Sequence, residues 1–79
     1  MERFVFPNMG RAEAALANMR KLIEWYGVAS RADMMDIHGS LPKPEDQKFG
    51  WNDLDNAVIE DDPINCEVIL ILPRASRLE

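Results

Sequence analysis

Three features of the sequence predict a small α+β domain. An amphipathic, alanine-rich stretch lies near the N-terminus, a shorter capped one follows it, and two β-like runs sit near the C-terminus, parted by an acidic turn. At 79 residues there is room for one domain with a thin core, so residues 1–79 are read as a single unit. Hydrophobic residues make up 47% of it, too many for a disordered chain.

Residues 1–10 read as an irregular lead-in, because Pro7, Asn8 and Gly10 interrupt the apolar Phe4, Val5 and Phe6. A helix is predicted over 11–26. Ala12, Ala15, Leu16, Met19, Leu22, Ile23 and Tyr26 recur at three- and four-residue steps, and Gly27 supplies a left-handed cap. Val28 and Ala29 link to a second helix. Ser30 is its N-cap with Asp33 placed for a capping box, Met34, Met35 and Ile37 form its buried side, and Gly39 ends it. So short a link predicts a helix-turn-helix-like corner. Pro42 and Pro44 rule out a long third helix, but Pro44 suits the first position of one helical turn over 44–48.

The stretch Phe49–Ile59 is read as the hinge between helical and β halves. Gly50 lets the chain turn, Trp51 and Leu54 anchor it in the core, and Asn52 and Asp53 bond local backbone. Ala57–Glu60 and Cys66–Leu72 then form an antiparallel hairpin across "DDPIN". Cys66, Val68, Leu70 and Leu72 share one face, whereas Glu67, Ile69 and Ile71 share the other. That second face is covered either by the Phe4–Phe6 stretch or by another chain. Pro73 ends the strand, and 74–79 form a tail whose terminal Leu78-Glu79 is of the kind left by cloning. The order has a winged-helix-like outline, with the hairpin as the wing.

The spaced residues Gly27; Ser30, Ala32, Asp33, Asp36 and Gly39; Gly50, Trp51, Asp53 and Leu54; and Leu72-Pro73 carry a resemblance over residues 11 to 74. In that order they are similar to a group of small actinobacteriophage proteins with an alanine-rich first helix, a Gly-Trp-x-Asp-Leu turn and a last strand ending in Leu-Pro. The resemblance implies a phage gene product acting in a bacterial cytoplasm, with a winged-helix-like fold and no particular reaction. The lead-in and the proline pair at 42 and 44 lie outside that pattern.

Composition narrows the chemistry. The net charge is −5, from 14 acids against 9 bases, which favours a protein partner over nucleic acid. No apolar run approaches the roughly 20 residues of a membrane span. The single cysteine excludes an internal disulfide and suits a reducing compartment. With one Cys and one His there is no zinc set. The acids at Asp53, Asp55 and Glu60-Asp61-Asp62 do not follow calcium-loop spacing and read as solvated loops that discourage edge pairing of strands. His38 reads as a helix-end or surface residue and Cys66 as strand packing, since neither has a nucleophile–base setting. No catalytic residue, cofactor or metal is expected.

The candidate contact residues are Trp25, Met34, Met35, Ile69 and Ile71. Two adjacent methionines on a short helix cannot both face inward, and Trp25 lies off the main stripe of its helix. Ordinary core packing is the alternative for each. The expected function is a non-enzymatic interaction protein binding a host or phage protein, with a homodimer as a further possibility. A DNA-binding winged helix using Arg31, Lys43 and Lys48 is the competing reading. A nucleic-acid mimic acting through the acids is a weaker third.

Overall fold

The computed structural model describes residues 1–78. Its elements are strand β1 (Glu2–Phe6), helix α1 (Met9–Tyr26), strand β2 (Ala29–Ser30) and helix α2 (Arg31–His38). A 3₁₀ turn (Pro44–Gln47) follows, then strands β3 (Phe49–Trp51), β4 (Val58–Asp62), β5 (Glu67–Leu72) and β6 (Ser76–Arg77). The fold is α+β, with two small antiparallel sheets ordered β1-β5-β4 and β2-β3-β6.

The helices follow from their ends. Asn8 accepts from the backbone N–H of Arg11 and starts α1 two residues earlier than the apolar stripe suggests. Gly27, at φ 84°, ends it with its N–H on the Ile23 carbonyl. The capping box of α2 is complete. The N–H of Asp33 donates to Ser30 Oγ and the N–H of Ser30 to the Asp33 carboxylate. Gly39, at φ 92°, closes that helix.

The N-terminus departs from expectation. Instead of an irregular lead-in, Glu2–Phe6 is a strand paired with β5, from Glu2 opposite Leu72 to Phe6 opposite Val68. It lies beside β5 and covers neither of its faces. The hairpin forms, but β4 runs on through Asp61 and Asp62, which the sequence assigns to the loop, with Val58 opposite Ile71 and Asp62 opposite Glu67. It is built into a three-stranded sheet with α1 packed on one side, instead of standing free as a wing. Phe4, Phe6, Val68, Leu70 and Leu72 meet Ala12, Ala15, Leu16 and Met19 of α1 in the core. Burying these side chains is the main stabilising term in so small a domain.

The second sheet holds the Phe49–Trp51 stretch. Gly50 does not turn the chain; it lets two backbones meet. A Cβ there would lie 2.2 Å from the Ala29 carbonyl oxygen of β2. Trp51 is buried and its indole N–H donates to the Pro73 carbonyl at 2.6 Å, while Leu54 is buried beside it. Asp53 accepts from the N–H of Asp55, the local turn bond its sequence suggests. The tail is more ordered than expected. Ala75 is buried, Ser76–Arg77 pairs with β3, and the N–H of Leu78 reaches the Lys48 carbonyl. Glu79 lies outside the described residues.

Candidate protein-interaction surface

Arg31, at the first position of α2, joins several elements through its side chain. Its Nε and a terminal nitrogen donate to the two Glu2 carboxylate oxygens at 2.9 and 3.0 Å, a bidentate pair. The other terminal nitrogen lies 3.5 Å from Asp46, and the guanidinium sits over the Phe49 ring. Glu2 also accepts from the N–H of Ala75, so one cluster joins β1, α2, the 3₁₀ turn and the C-terminal segment. The Glu2 hydrogen bonds, above all, raise the Arg31 pKa over its ordinary value. Buried Asp46 is satisfied by the Lys43 N–H at 2.8 Å as well as by Arg31. Arg31 is thus a fastening residue, with all three of its nitrogens directed at the carboxylates of Glu2 and Asp46. Lys43 and Lys48 are exposed beside a shallow cleft, with Glu45 on the same rim.

The five candidate contact residues separate. Trp25 is 67% exposed and Tyr26 73%, their rings edge to face at 6.5 Å between centroids. The apolar periodicity of the sequence sets Tyr26 on the buried stripe, and the structure does not. The fully covered residues of α1 stop at Met19, Leu22 and Ile23 are half-buried against the core, and residues 24–26 at its end are exposed. Val28, also exposed, follows them across Gly27.

Met34 is a correction. It is fully buried, because α2 is packed by α1 and by both β2 and β3, so this side chain offers nothing to a partner. Met35 is half-buried against the same core. Ile69 and Ile71 lie on the face of β5 away from α1. Ile69 is half-buried, whereas Ile71 is covered to 7% exposure between Arg3 and Val58 of the neighbouring strands. Trp25 and the two isoleucines therefore belong to separate surfaces.

The reactive side chains have structural places. The Nε2–H of His38 donates to the Val5 carbonyl at 2.8 Å, and its Nδ1 is hydrogen-bonded with the Ser40 hydroxyl at 2.6 Å. Its ring stands edge-on to Phe4 and Phe6. It closes the outer edge of β1 onto the end of α2, a role the helix-end reading only half captures. Cys66 is a correction: it is exposed, at φ 55°, in the turn before β5, and not in the core-facing row with Val68. A left-handed residue ends the hairpin loop there, and the strand starts one residue later.

An open cleft of about 410 Å³ lies between α1 and the 52–55 turn, lined by Arg20, Ile23, Glu24 and Asn52–Asp55. Arg20 spans it to the Leu54 carbonyl at 3.3 Å. Among the described residues no group of three or more His, Cys, Asp or Glu is placed to hold a metal ion. Among them, too, no helix is long and apolar enough to cross a membrane. Comparison with known proteins returned no matching family model, no similar curated protein and no similar solved structure.

Proposed function

We propose that this chain is a non-enzymatic interaction protein that binds a host or phage protein in the bacterial cytoplasm. The carrying observation is the Trp25–Tyr26 pair, two large aromatic side chains left in solvent at the C-terminal end of α1. Tryptophan and tyrosine dominate binding hot spots because they bury large area at small entropic cost. Bracing one ring against the other lowers that cost further. Val28 widens the apolar part, and Lys21 and Glu24 lie within the preceding turn of helix.

The non-catalytic part of the reading rests on His38 and Cys66, which stand in unrelated places with structural or solvent surroundings. The phage origin and the winged-helix-like ancestry come from the resemblance over residues 11 to 74. The succession of α1, the short β2, α2 and the 3₁₀ turn before the hairpin accords with that ancestry. The competing DNA-binding reading loses its best residue, since Arg31 is held by Glu2 and Asp46.

The test is capture from actinobacterial lysate on immobilised protein, with W25A/Y26A alongside. Both side chains are exposed, so the variant should melt with the parent. A protein retained by the parent and lost from the variant supports the reading. Equal retention by both overturns it. Tight duplex-DNA binding that weakens steeply with salt also overturns it, in favour of the DNA-binding alternative.

A further inference from the structure

The outer face of the β1-β5-β4 sheet, away from α1, carries six side chains in two rows across the strands. One row is Arg3, Ile71 and Val58; the next is Val5, Ile69 and Glu60. Val5 is 43% and Val58 50% exposed, Ile69 is half-buried, and α1 is packed only on the opposite face. The array has a hidden symmetry. Exchanging opposite corners replaces valine with valine and isoleucine with isoleucine, but turns Arg3 into Glu60. Arg3 and Glu60 are both exposed, and neither forms an ion pair among the described residues.

We propose that this face is a self-association surface on which two copies stack face to face, Arg3 of each opposite Glu60 of the other. A two-fold axis in the contact plane, running near the Val5–Val58 diagonal, produces both ion pairs, sets Val5 against Val5 and Val58 against Val58 at the two ends of the axis, and places the isoleucines between them at the centre. The strands of the two sheets then cross steeply, as in orthogonal sheet packing. An axis along the strands would set Arg3 against Val58, and one across them would set Glu60 against Val58, so charge complementarity selects the diagonal. Asp62 and Glu67, one row further along, fall beyond the edge of the overlapping sheet in that arrangement.

The face spans about 10 Å across three strands, a contact of a few hundred Å² per copy against the roughly 800 Å² of a standard interface. Dimerisation is accordingly weak and belongs to high protein concentration. This surface is separate from Trp25 and Tyr26, so failure here leaves the reading of that pair standing.

The experiment is sedimentation equilibrium of the whole chain from micromolar to millimolar concentration at low salt. Parent protein, R3E, E60R and an equimolar mixture of the two variants are compared, with circular dichroism confirming that each is folded. The expected result is a parent dimer weakened by salt, and at least about tenfold weaker association of each variant alone, from like charges opposed across the interface. The mixture should recover association. In the mixed pair the two substituted side chains, now of opposite sign, face each other at one contact, and the unaltered Arg3 and Glu60 meet at the other. A parent that stays monomeric at the highest concentration overturns the proposal. So does a dimer indifferent to R3E and E60R, or a mixture that fails to recover.

Discussion

The β2–β3 crossing and the β4–β5 turn sit at opposite extremes of constraint. At the crossing, Gly50 faces the Ala29 carbonyl so closely that no side chain fits, and Trp51 is buried and hydrogen-bonded to Pro73. At the turn, Ile64 is 91% exposed and Cys66 holds a left-handed backbone that its Cβ disfavours. The first place has no slack and the second has stored strain. Stability in this chain is set by where two backbones touch far more than by how its one hairpin is tied off.

Gly50→Ala is the sharpest way to break that contrast. The added methyl must push rigid backbone aside, so the loss should exceed about 4 kcal/mol, the class of effect that only core disruption produces. Because small domains hold few kcal/mol in reserve, the expected observation is a chain without a cooperative melting transition. Trp51→Ala comes next, at about 3–5 kcal/mol in urea titration, from lost burial and an orphaned Pro73 carbonyl. A folded Trp51→Ala that lost only binding would turn this residue from anchor to contact.

At the turn the sign reverses. Cys66→Gly should stabilise by about 0.5–1 kcal/mol, since glycine takes positive φ freely while its flexibility in the unfolded chain offsets part of the gain. An unchanged or lower melting temperature would mean that Cys66 is not strained. The smallest effect concerns Asp62. The Asn65 side-chain N–H₂, then the Asn65 backbone N–H, hold its carboxyl below the ordinary aspartate range. A lowered folded pKa gives stability that is present above the unfolded value and lost as pH falls through the folded one. Asp62→Ala should therefore lower the melting temperature slightly at neutral pH and not at all in strong acid.

The same contrast separates what was legible in the sequence from what was not. Helices announce themselves locally. Ser30 with Asp33, Gly27 and Gly39 lie within a few residues of what they terminate, and α1, α2, the 3₁₀ turn and the hairpin were readable, whereas Asn8 reads in the sequence as a break and proves to be the N-cap of α1. Strand β1 was not, because its partner β5 lies more than 60 residues away and nearby Pro7, Asn8 and Gly10 suggest irregularity. Strands β2, β3 and β6, of two or three residues each, are too short for any alternation to show. The exposure of Trp25 was legible because it breaks the stripe of α1. The burial of Met34 was not, since it depends on β2 and β3 packing against α2. The role of Arg31 was hidden likewise, because nothing near it in sequence signals Glu2.

The pairing of β1 with β5 also bears on how the chain is made. Glu2–Phe6 is synthesised more than 60 residues before the segment it pairs with, which lies in 68–72. While waiting, this strand presents Phe4, Val5 and Phe6 with no sheet to join. Closing so long a loop is entropically costly and slows folding relative to a helical bundle of equal length. The nascent chain therefore has its helices early and its sheets late, and the interval between them is when it is most exposed to aggregation.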